Sequence, residues 1–317
     1  MPIKRDIGTP SHDIGDHQPP LHRSDGFHAR REGAITSGMT EIEIIEGRQS
    51  SPVLFLCDHA GHRVPGGIHF LGIGEEQLRR HIGWDIGAAD VTRRLAARFG
   101  AAAILDHCSR LVIDPNRRPG SPTSIPPVSD GCVIPGNGNL SAPEVSRRIR
   151  EYFLPYHRTV ARRVGAMRRA GIVPVVIAVH SFTPRMNGLD RPWHVGVLWR
   201  GDTRLSAPVL ERLHARGELI VGDNQPYSGL HEMGFTMAFH GQRTGLPHLM
   251  LEIRNDLIAD PGGAGHWAGV VGDVLQPSLD DSSPKSLYSV SNDEITGMRK
   301  SWRHASLFSP SESRRNI

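Results

Sequence analysis

The chain predicts an α/β fold, a central mixed and mostly parallel sheet with helices on both faces. Three observations carry this. Pro174-Val175-Val176-Ile177-Ala178-Val179 is an unbroken apolar run of β-branched and small residues, the mark of a strand buried on both sides. Pro52–Cys57 and His248–Ile253 are two further strands of this kind. The segments between them show helical spacing, and strands alternating with helices build such sheets. Each run also delivers an ionisable residue: Asp58-His59 after the first, His180-Ser181 after the second, Glu252 within the third. Open α/β sheets place their chemistry at the carboxyl ends of strands. Two imidazoles and a carboxylate, each carried by a strand, make a candidate metal-hydrolase site.

The elements follow in order. Residues 1–38 are rich in His, Gly, Asp, Arg and Pro without periodicity, which predicts a disordered leader. His12, His17, His22 and His28 fall in it and read as part of a polar tail rather than a metal-binding tract. Glu41–Ile45 alternates, as an edge strand does. Asp58–Pro65 is a loop, and Asp90–Phe99 places Val91, Leu95, Ala96 and Phe99 at amphipathic helical spacing. Ala101–Leu105 and Leu111–Ile113 are read as strands, the second running into Asp114-Pro115-Asn116-Arg117. Pro119–Asn139 holds five prolines and four glycines and is an irregular loop of the length that often serves function. Ser141-x-x-Glu144 is a capping box opening a long helix to about Ala170, with a bend expected at Pro155. Asn187–Pro192 is a turn; His194–Trp199 and Ile220–Asn224 are strands; Ser206–Arg216, Phe235–Arg243 and Gly265–Leu275 are helices. From Ser278 the chain turns Ser/Asp/Lys-rich. One domain over 39–277 is therefore expected, with a disordered tail over 278–317.

The totals narrow the function classes. Lys and Arg number 37 against 33 Asp and Glu, a net charge of +4 that does not call for nucleic acid. No stretch approaches the roughly 18 apolar residues of a membrane helix, and residues 1–31 lack the apolar core of a secretory signal. Three cysteines without a C-x-x-C argue against a disulfide framework and for a reducing compartment, so a cytoplasmic protein is expected. Composition leaves the oligomeric state open.

A catalytic zinc takes about three protein ligands from His, Asp or Glu and keeps a position open. His59 and His180 each follow a buried strand. The third position has two candidates: His62, in H-x-x-H with His59, and Asp85, just before a helix. With 18 histidines in the chain, an ordinary hydrogen-bonded role competes for each. Glu252 is the candidate general base, with an ion pair to Arg254 as its structural alternative. Arg110, Asn116 and Arg117 form a second constellation. A guanidinium fork matches a carboxylate, Asn116 beside Arg117 can take its other oxygen, and Asp114 can orient the arginines. Ser181 has no G-x-S-x-G elbow and follows directly on His180, which disfavours a serine hydrolase.

Together these pieces resemble the N-formylglutamate amidohydrolase family. They run from Cys57-Asp58-His59-Ala60 and Arg63-Val64-Pro65 through Trp84-Asp85-Ile86-Gly87-Ala88 to Ser109–Arg117. Pro155-Tyr156-His157, His180–Pro184, Arg191-Pro192-Trp193, Val221–Tyr227 and Leu251–Arg254 complete the set, over about Ser51–Leu275. The resemblance implies a three-layer α/β/α domain like that of zinc exopeptidases, one zinc per chain, and hydrolysis of an N-acyl amide. The family substrate is N-formyl-L-glutamate, giving formate and glutamate; the alternatives are a zinc peptidase or deacylase acting on another N-acyl amino acid or a small peptide, and a non-catalytic protein that binds an acidic ligand through the Arg/Asn cluster. By the same resemblance His59, His180 and Asp85 are metal ligands, Glu252 is the catalytic carboxylate, and Asn116-Arg117 holds the carboxylate of a small-molecule substrate. The carboxypeptidase relatives carry H-x-x-E after the first strand, where this chain has His62.

Overall fold

The computed structural model describes residues 42–66, 70–227, 234–280 and 287. The expected leader and nearly all of the expected tail lie outside the described residues.

A seven-stranded sheet forms the centre. Its strands are β1 (Ile42–Ile45), β2 (Val53–Cys57), β3 (Ala102–Asp106), β6 (Val175–Phe182), β9 (Val195–Leu198), β10 (Val221–Asp223) and β11 (His248–Arg254), in spatial order β1-β3-β2-β6-β11-β9-β10. The inner run β3-β2-β6-β11 is parallel, β1 and β9 join it antiparallel, and β10 lies parallel to β9. The sheet is thus mixed and mostly parallel. Two short hairpins, β4–β5 (Val128–Ser129, Cys132–Val133) and β7–β8 (Arg185–Met186, Leu189–Asp190), stand apart from it.

Alternation along each strand divides the core into two layers. Val53, Phe55, Cys57, Val175, Ile177, Val179, Leu249, Leu251 and Ile253 face α2 (Ala88–Phe99), α5 (Ser206–His214) and α6 (Pro261–Asp280). Leu54, Leu56, Val176, Ala178 and Met250 face Tyr156, Val160, Val164 and Met167 of α4 (Leu154–Arg169), together with Met237 and Leu246. Each fully buried Val, Leu, Ile or Phe contributes about 1.5–3 kcal/mol relative to exposure. Apolar side chains on both faces explain why the inner strands read as continuous runs instead of alternating ones. A short helix, α1 (Glu75–Leu78), packs Leu78 into a third apolar cluster with Leu111, Ile113, Phe153 and Phe235.

Three expectations need correction. Leu111–Ile113 is a turn, not a strand; its side chains are buried in that third cluster, and Val112 N donates to Ser109 O. The long helix after Ser141 is α3 (Ala142–Arg148), then a π-helical turn over Ile149–Phe153, then α4. Pro155 has no N–H to give the turn before it, and a wider turn immediately upstream accommodates that loss. The Ser141 cap is present, its hydroxyl accepting from Glu144 N. The last helix spans Pro261–Asp280, longer at both ends than the expected Gly265–Leu275.

Candidate active site

The site lies where β2, β6 and β11 end. His180 and Glu252 are direct register partners on the adjacent parallel strands β6 and β11. They share the sheet face of Ala178 and Met250, so both side chains emerge on the α4 side. His59 lies two residues beyond β2, and its carbonyl accepts from Asp85 N at 3.0 Å, which pins the Trp84–Gly87 turn against the strand end. Gly87 closes that turn with φ 80°, and a side chain there would strike the Ile258 carbonyl. The sequence Asp85-Ile86-Gly87 thereby delivers a carboxylate to the two imidazoles.

One carboxylate oxygen meets both rings. Asp85 Oδ2 lies 3.2 Å from His59 Nδ1 and 2.8 Å from His180 Nδ1. The rings stand edge to face with centroids 5.0 Å apart. One donor atom from each of His59, Asp85 and His180 falls within 4.8 Å of the others, and all three residues are buried. This group can hold a metal ion. His62 stands outside it: its ring packs on Trp84 at 5.1 Å, with Nε2 3.5 Å from Glu75 Oε1.

The outward ring nitrogens are also engaged. His59 Nε2 donates to Asp114 Oδ1 at 2.8 Å, and His180 Nε2 to Asp58 Oδ2 at 3.1 Å. Tyr156 OH donates to the other Asp58 oxygen at 2.6 Å. Arg110 bridges Asp114 Oδ2 (2.8 Å) and Asp85 Oδ1 (3.2 Å). Burial would raise these carboxyls, but Arg110 and His59 hold Asp114 below the usual range, and His180 does the same for Asp58. As ionised groups they only accept, so each imidazole carries its proton on Nε2 and turns Nδ1 inward. Imidazoles oriented by a carboxylate on the far nitrogen are the usual support of a metal ligand.

The donor chemistry fits a cation. Two neutral imidazoles with Nε2–H would aim two lone pairs at the Asp85 carboxylate. Positive charge must sit among them, either as a proton on each ring or as one ion shared by all three. Without an ion the protons take that place. Burial lowers both histidines and Arg110 lowers His59 further, yet Asp114 and Asp85 raise His59, and Asp58 and Asp85 raise His180 well above the ordinary imidazole value. Asp85 is held well below the carboxylate range by His59 and His180, against its burial.

Glu252 is a further carboxylate at this end of the sheet, on the strand beside that of His180. It is buried, and its Oε2 has no hydrogen-bond partner among the described residues. Burial pushes its carboxyl up to about 7, with Asp85 reinforcing and His180 opposing. The alternative ion pair is absent, because Arg254 pairs with Asp256 at 2.8 Å. Ser181 is tied down as well, its hydroxyl donating to Ile86 O at 2.9 Å.

The expected substrate-binding trio is placed unevenly. Arg110 is already engaged by two carboxylates. Asn116 is buried, its amide oxygen accepting from Thr236 N at 3.2 Å. Arg117 is half-buried and, among the described residues, its side chain donates to the Asn116 carbonyl alone, at 3.4 Å. Sequence reasoning gave Asp58 and Tyr156 no role. Asp58 was visible as the neighbour of His59, whereas the contact of Tyr156, 98 positions away, depends on how α4 docks.

Comparison with known proteins agrees with this architecture. Residues 51–259 match the family described as N-formylglutamate amidohydrolase. The structure of the gene product Atu2144 from Agrobacterium tumefaciens is similar at 33% identity and TM-score 0.72, over 75% of this chain and 94% of that one. The N-formylglutamate amidohydrolase from Ralstonia eutropha JMP134 shares the fold at 22% identity and TM-score 0.56, over 77% and 98% of the two chains. Comparison with curated proteins gave no match. Among the described residues no helix is long and apolar enough to cross a membrane. From the match over residues 51–259, the chain belongs to the N-formylglutamate amidohydrolase family of hydrolases.

Proposed function

We propose that the protein is a zinc-dependent hydrolase that cleaves N-formyl-L-glutamate to formate and L-glutamate. The observation that carries this is the buried His59–Asp85–His180 group with Glu252, whose Oε2 has no hydrogen-bond partner among the described residues, on the strand beside it. The family match and the activity named for the Ralstonia neighbour support the choice of substrate.

His59 and His180 through Nδ1, and Asp85 through a carboxylate oxygen, would hold the ion. Bound there, zinc supplies Lewis acidity, polarising the acyl carbonyl and making water easier to deprotonate. Glu252 takes the proton of the attacking water and returns it to the leaving amine. Asp58 and Asp114 hold the imidazoles in register, Tyr156 braces Asp58, and Arg110 braces Asp85 and Asp114. Asn116 fastens its loop to Thr236, which leaves Arg117 to meet a substrate carboxylate. The catalytic domain is residues 39–277. Three cysteines without a disulfide framework favour a cytoplasmic setting.

Glu252→Gln keeps the shape and removes the base. Formate release by the purified variant is expected to fall by about 10²–10⁴. Unchanged release would end the assignment of Glu252.

A further inference from the structure

Arg191 is a guanidinium beside the candidate site with no carboxylate partner among the described residues. Arg110, by contrast, is neutralised between Asp85 and Asp114. Neutral groups hold Arg191: Nη1 donates to Tyr227 OH at 3.0 Å and Nη2 to Met186 Sδ at 3.0 Å. The guanidinium lies over the Tyr227 ring, 4.8 Å from its centroid, and 6.0 Å from that of Phe182. The group is oriented but faces no opposing charge, and among the described residues two of an arginine's five N–H donors are in use.

The backbone places this assembly next to the reacting groups. Phe182 ends β6, two residues after His180. Tyr227 is carried by the segment that crosses Gly196, where any side chain would strike the Gln225 carbonyl. Gly196 is the register partner of Glu252 across β9 and β11. The segment bearing Tyr227 therefore passes over the strand adjoining Glu252. Electrostatics agree: the Tyr227 hydroxyl is pushed up by burial and then by the Glu252 charge, with Arg191 and Arg110 opposing.

We propose that Arg191, presented by Tyr227 and Met186, is a specificity-determining receptor for a substrate carboxylate, separate from Arg117. A guanidinium with free N–H groups takes a carboxylate bidentately. Two separate cations suit a dicarboxylate, one for each end. The receptor role rests on the proposed hydrolysis of an N-acyl dicarboxylic amino acid, and it can be tested apart from turnover.

Glutarate, a dicarboxylate with no scissile amide, is the binding probe. Titration calorimetry on the full-length protein should show Arg191→Met binding glutarate about 10- to 100-fold more weakly than wild type. Arg191→Lys, which keeps the charge but not the fork, should fall between them, and it replaces Arg191→Met should that variant not fold. In turnover, Arg191→Met should raise KM for N-formyl-L-glutamate by a similar factor while kcat changes less than about threefold. The penalty should vanish for one of the two mono-amides of that substrate, the one lacking the carboxylate Arg191 holds. Equal glutarate affinity in wild type and variants, no glutarate binding by wild type, or the same penalty on all three substrates would overturn the receptor. Arg191-dependent glutarate binding in a wild type that releases no formate would leave the receptor standing and remove the proposed reaction. Formate release with a KM indifferent to Arg191 would do the reverse.

Discussion

At the scale of residues, the site is an alternation of carboxylates and imidazoles, Asp114–His59–Asp85–His180–Asp58, with Arg110 and Tyr156 closing its ends. Every ring nitrogen faces an acceptor, so the tautomers are set from outside and the inner nitrogens are left for a cation. Asp114→Asn tests this support without emptying space. The amide keeps the size but loses the charge that fixes His59. Zinc affinity, measured by chelator competition on the metal-free variant, is expected to weaken by about 10–100-fold. Affinity equal to wild type would mean that Asp114 serves only to accept from Asn116 N, at 2.8 Å, and from Arg110. Much of this layer was legible in the sequence, because His59, Asp85, His180 and Glu252 each sit where a strand or turn ends. Asp58 was visible beside His59, but Tyr156 was not, since a contact across 98 positions has no local pattern. Arg191 and Tyr227 likewise meet only after the chain has crossed the sheet.

At the scale of elements, periodicity served where burial was two-sided and long. It failed at Leu111–Ile113, where three apolar residues are too few to separate a strand from a buried turn. The edge strand β1 was readable by alternation, but its attachment was not. Glu43 on β1 receives Arg93 Nη2 from α2 at 2.7 Å and His107 Nε2, just beyond β3, at 2.7 Å. The Arg93 and His107 hydrogen bonds hold the Glu43 carboxyl down at about 2. A carboxyl lowered on folding stabilises above its unfolded value of about 4.3 and loses that contribution as pH falls toward 2. The pair is partly exposed, so screening leaves about 1 kcal/mol. Urea unfolding of Glu43→Gln should show that deficit at pH 7 and convergence with wild type near pH 2. A deficit constant across this range would mean the contribution is not electrostatic.

At the scale of the molecule, a mostly parallel inner sheet brings the ends of β2, β6 and β11 to one rim, and two helical layers bury everything behind it. The layered α/β architecture followed from the runs at Val53–Cys57, Val175–Val179 and His248–Ile253. The strand order, with β9 reversed beside β11, did not, because pairing direction leaves no mark in hydrophobicity. That order sets Gly196 beside Glu252 and so carries the Gln225–Tyr227 segment to the site. The central claim is that the fold assembles His59, Asp85 and His180 around a single divalent ion. Crystals of the zinc-loaded protein, measured on either side of the zinc absorption edge, test it most directly. One anomalous peak about 2.0–2.2 Å from His59 Nδ1, His180 Nδ1 and an Asp85 oxygen is the predicted result. A peak between His62 and Glu75, or none at the rim of the sheet, would contradict it.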